Sequence, residues 1–94
     1  MSTSYISAKT AAENGAEFTL SSGSSRTFFA TEDLAPGEAL TLEIKETNGG
    51  TFQQVGKLCF NGQSVGVVTA RGEGSSTFRV VKPVTTATVG VFFD

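Results

Sequence analysis

The sequence predicts an all-β fold, an antiparallel, jelly-roll-like β-sandwich of seven or eight short strands. Three observations carry that prediction. From Ala16 onward, apolar side chains recur at every second position, the period of a strand with one buried face. Turn residues interrupt these runs about every eight to twelve residues, as in sandwiches and small barrels. The chain has 94 residues, with eight Phe and 38% hydrophobic residues, which suits one core and one domain.

Residues 1–14 read as an N-terminal arm preceding a sandwich domain at 15–94. The arm has weak periodicity, with Tyr5 and Ile6 as its only large apolar groups. Ser7 to Glu13 has the helix formers for a short helix closed by Gly15; an extended arm fits equally. The alternative is that this stretch is the first strand of the sandwich. Ala16, Phe18 and Leu20 then alternate with polar residues, and Ser21 to Ser25 turns the chain. Arg26 to Thr31 carries Phe28 and Phe29 side by side. Neighbours in a strand face opposite ways, so one ring is left for a second surface. Ala35-Pro36-Gly37-Glu38 has type II turn chemistry. Leu40, Leu42 and Ile44 alternate with Thr41, Glu43 and Lys45, the clearest half-buried strand. Asn48-Gly49-Gly50 and Asn61-Gly62 are hairpin signals that bracket Phe52–Val55 and Lys57–Phe60. Val65–Thr69 and Thr77–Lys82 are further strands around the loop at 71–76, and Pro83 ends the second. Thr88–Phe93 closes the fold with Val89, Val91 and Phe93 on one face, leaving Phe92 on the other.

Composition narrows the function. Charged residues make up 17% of the chain, against about 25% in an average domain. The formal charge is −2, so no basic surface for nucleic acid is expected. No apolar run reaches the length of a membrane span, and Met1 to Lys9 has no signal-peptide pattern. The chain has no His and no Trp. A Ser or Cys nucleophile therefore lacks its usual base, and zinc and copper sites lack their usual ligand. Cys59, between Leu58 and Phe60, reads as a small buried hydrophobe that forms no internal disulfide. The carboxylates fall at turns or on outward strand positions. Gly72-Glu73-Gly74 lacks the Lys and following helix of a phosphate loop. The expectation is a protein without catalytic, metal or cofactor site, whose candidate partner contacts are Tyr5, Ile6, Phe28 and Arg71.

Gly72-Glu73-Gly74-Ser75-Ser76-Thr77-Phe78-Arg79-Val80-Val81-Lys82-Pro83, followed by Val89-Gly90-Val91, resembles small all-β virion proteins of tailed bacteriophages. Phe18-Thr19-Leu20 and Gly37 to Leu42 resemble the front half of the same sandwich. The resemblance covers roughly residues 16–94. It implies a capsid decoration, or cement, protein, made in the host cytoplasm and placed on the outer capsid surface. It further implies a homotrimer that binds the major capsid protein or another virion protein, often through an N-terminal arm. A sugar- or receptor-binding module of a phage tail or fibre is the alternative.

Overall fold

The computed structural model describes residues 3–46, 50–70 and 76–94. Nine strands follow in order: β1 (Thr3–Lys9), β2 (Glu13–Asn14), β3 (Phe18–Thr19), β4 (Ser25–Ala30), β5 (Ala39–Glu46), β6 (Gln53–Phe60), β7 (Val65–Thr69), β8 (Ser76–Lys82) and β9 (Val89–Phe93). They form two antiparallel sheets. The first has the order β1-β9-β4-β7, and the second β2-β8-β5-β6 with β3 also on β8. The fold is thus a small β-sandwich, and no helix occurs among the described residues.

The alternation along β5 does what the sequence requires. Leu40 is fully buried, Leu42 and Ile44 pack against the core, and Glu43 pairs outward with Arg79 across β8. Ile6, Phe28, Leu34, Leu58, Cys59, Val68, Phe78, Val80, Val89 and Val91 complete the core between the sheets. The Ala35–Glu38 turn is closed by Glu38 N–H donating to the Ala35 carbonyl at 2.9 Å. Lys57–Phe60 and the residues before it merge into the single strand β6, and the Asn61-Gly62 turn leads into β7. The Asn48-Gly49 signal lies outside the described residues. At Gly66 the β6 backbone passes so close that a Cβ would stand 2.4 Å from the Leu58 carbonyl oxygen. Only glycine lets the strand that leaves the second sheet tuck under the one that enters the first.

Among the described residues, 3–14 do not form a free arm, and Ser7–Glu13 is not a helix. Strand β1 is an edge of the first sheet and pairs with β9 from Thr3↔Phe93 to Lys9↔Val89. Its register slips between Ser4 and Ile6 and again between Ile6 and Lys9. Such bulges abolish the period of two, because the extra residue rotates its neighbours to a different face. The consecutive residues Tyr5 and Ile6 both turn inward. Ile6 is buried, and the Tyr5 ring meets Phe18, Phe28 and Phe93 edge-on at centroid distances of 6.1, 5.2 and 5.9 Å.

Tyr5 also bridges the two sheets. The edge of the second sheet is broken between β2 and β3, so on that side, opposite its β5 partner Leu42, Val80 of β8 meets no strand. The Tyr5 hydroxyl fills the gap, accepting from the Val80 N–H at 3.2 Å and donating to the Ala16 carbonyl. Gly15 donates to the Val80 carbonyl at 2.8 Å on the same side. A Cβ on Gly15 would stand 2.1 Å from the tyrosine ring, so the ring's seat exists only because residue 15 is glycine.

Candidate functional site

The two outer faces of the sandwich differ in chemistry. The second sheet carries two matched charge pairs on its outer side. Arg79 Nε donates to Glu43 Oε1 at 2.7 Å, Lys45 stands 3.6 Å from Glu17, and both cations lie over the Phe52 ring. Such a face is satisfied within the molecule.

The first sheet presents the opposite. Phe29 on β4 faces Phe92 on β9 and Val65 on β7 in direct register, and Thr27 faces Val67 in the next row. Val65 and Val67 are 44% and 56% exposed, Phe92 is 36% exposed, and Phe29 is half-buried. The row Val65–Phe29–Phe92 runs across three strands and continues to Ser4 on β1 without a charge. Beside it, Phe29, Ala30, Thr31, Phe92 and Asp94 line a shallow groove of about 370 Å³. Scattered surface apolar residues need no explanation; this row is contiguous, which makes it the candidate contact surface.

The expected contact residues fall elsewhere. Ile6 and Phe28 are buried at 1% and 0% exposure, and Tyr5 spends its ring and hydroxyl inside the fold. Ile6 and Phe28 are therefore closed to a partner in the folded chain, and Tyr5 is half-buried. Bulges in β1 turn Tyr5 and Ile6 inward, and the pleat of β4 sends Phe28 in and Phe29 out. Arg71 lies outside the described residues. The adjacent pairs Phe28-Phe29 and Phe92-Phe93 did signal a second surface. Two phenylalanines in a row cannot tell which of them faces it.

At one end of the sandwich a polar network ties three segments together. Lys82 is fully buried, and its Nζ donates to the Ala11 carbonyl at 2.9 Å, the Pro83 carbonyl at 3.0 Å and Thr85 Oγ1 at 2.9 Å. Burial lowers its pKa below the ordinary lysine value, although Glu38 and Glu13 favour the charge. Glu38 accepts from the Thr86 N–H and hydroxyl at 2.9 and 3.0 Å, and from the Ala35 N–H at 3.2 Å. Those donors, led by the Thr86 N–H, hold its carboxyl below the usual range. Cys59 is fully buried, and desolvation pushes its thiol up to about 11, so it is not a poised nucleophile. Among the described residues no three His, Cys, Asp or Glu side chains gather as a metal cage would need.

No protein-family model matches the chain, and no curated protein matches it.

Proposed function

We propose that the chain is a non-enzymatic structural protein that docks on a larger protein assembly through the outer face of its first sheet. The observation that carries this reading is the uncharged row Val65–Phe29–Phe92, set against a second sheet whose outer face carries the Arg79–Glu43 and Lys45–Glu17 pairs. The buried centres of protein interfaces are enriched in aromatic residues and depleted of Lys, Glu and Asp, and this face has that composition. The resemblance to phage virion proteins supports a specific assembly: the outer shell of a phage head, with the chain as a decoration protein.

Co-sedimentation with purified shells tests it. Phe92→Asp should weaken attachment at least tenfold, about 1.4 kcal/mol, while the thermal midpoint stays near that of the unaltered chain. Lys57→Ala, on exposed β6 of the other sheet, is the control and should bind normally. Equal binding by the Phe92 variant would remove this face from the argument. Capture by glycans in place of shells would transfer it to the sugar- or receptor-binding alternative.

A further inference from the structure

We propose that β7 is a self-recognition edge, along which two copies of this chain pair antiparallel about a two-fold axis through Val67. The first sheets of the two copies then join into one sheet of eight strands. An open sheet edge is a template for another strand, and folded proteins blunt it with bulges, charges, proline or brevity. Three of the edges here are blunted. Strand β1 carries two register slips and Lys9, β2 and β3 are two residues each, and β6 carries Lys57 and two register slips against β5. Strand β7, Val65-Gly66-Val67-Val68-Thr69, has no charge and no proline, and its register with β4 is unbroken.

Its hydrogen-bonding groups are available on the open side. Ala30 donates to the Ser64 carbonyl at 2.8 Å and Ala70 donates to the Ser24 carbonyl at 2.9 Å, so the even-numbered residues of this strand bond β4. Alternation then aims the N–H and C=O groups of Val65, Val67 and Thr69 away from the sheet. The Val65 carbonyl accepts from the exposed Gln63 side chain at 3.2 Å, a contact that a strand can displace.

The occupant that fits is the strand itself. About a two-fold axis at Val67, that residue exchanges both bonds with its own counterpart, and Val65 does so with Thr69 of the second copy. All these side chains are β-branched and lie on the outer face, and no like charges meet. Five residues give a contact about 17 Å long. That covers well under the roughly 800 Å² per partner of a stable interface, so the dimer is weak and concentration-dependent. A two-fold pair also differs from the trimer that the family resemblance implies.

Sedimentation equilibrium of the purified chain, from about 10 µM to about 1 mM, should show mass rising from one copy towards two, the range in which weak pairs report. Val67→Pro removes an outward N–H but no bond to β4, and edge strands tolerate proline at such a position. Val67→Lys sets two ammonium groups opposite each other. Each should weaken association at least tenfold with little change in thermal midpoint, and the second keeps the test intact if the first disturbs the strand. A strict monomer at the highest concentration, a trimer, or a dimer indifferent to both variants overturns the proposal. So does protection of the Val67 and Thr69 amides only on addition of shells, which would mean that the partner supplies the strand.

Discussion

Removing one oxygen from Tyr5 should destabilise this protein as a whole. In Tyr5→Phe the ring still packs against Phe18, Phe28 and Phe93, so the apolar contact is preserved. What disappears is the hydroxyl that accepts from the Val80 N–H and donates to the Ala16 carbonyl. Ala16 is exposed, and water replaces the lost donor there at little cost. Val80 is fully buried, and its N–H sits where the sheet edge is broken between β2 and β3. A buried donor left without an acceptor costs about 1–3 kcal/mol, a large part of the roughly 5–15 kcal/mol that stabilises a domain. Urea melts of the two proteins measure the difference, and a loss of this size moves the midpoint by about 1 M at ordinary slopes. Gly15→Ala, which drives a methyl into the same ring, should lower the midpoint as well. A Tyr5→Phe protein within about 0.5 kcal/mol of the original, the range of surface changes, would refute the bridging role of the hydroxyl.

Ile6→Ala should cost about 2–5 kcal/mol in the same melts, because it empties a buried site on β1. Lys82→Met should also destabilise: it relieves a buried ammonium but strips a donor from Ala11, Pro83 and the buried Thr85 hydroxyl, and calorimetry reads the net loss. The folded-state pKa of Cys59 is raised from 9.0 to about 11, so the folded state holds its proton longer than the unfolded one. Its stabilisation is complete below about pH 9 and is lost as pH rises through 11, on the order of 2–3 kcal/mol in all. The raised Tyr5 acts in the same sense above pH 10, and the lowered Lys82 in the opposite sense. Melts of Cys59→Ala across that range should show a flatter alkaline decline than the original. Leu40→Asp should prevent folding, whereas Glu43→Gln, which weakens an ion pair with Arg79 on the partly exposed outer face, should cost no more than about 1 kcal/mol by calorimetry.

The strands with unbroken alternation were legible before any coordinates: Leu40-Leu42-Ile44, Val65–Thr69 and Val89–Phe93 all lie where the period of two puts them. Strand β1 was not legible, and the reason is geometric. Its two bulges place Tyr5 and Ile6 on one face, so an edge strand that seals the core carries the pattern of a loop. The fragments β2 and β3 are too short to show a period, and what holds that edge together is a hydroxyl from the other sheet, 75 residues away in sequence. The candidate surface was half legible. Doubled phenylalanines announced an outward ring, but parity relative to the core decides between Phe28 and Phe29, and it rests on neighbours such as Val68 and Val91 that only the assembled sandwich supplies.

The pairing of β1 with β9 also sets the order in which the molecule can be built. Strand β1 leaves the ribosome before any strand that it touches, and its ladder partner, Val89–Phe93, is made after all the other eight. Until then Ile6 has no sheet to lie in, and β4 has only β7 beside it. Contacts this distant along the chain are slow to form, because the intervening loop must close first. Folding therefore completes only after β9 has emerged, and a nascent chain stalled short of Val89 would display Phe28 and Val91's vacant groove to whatever chaperone meets it.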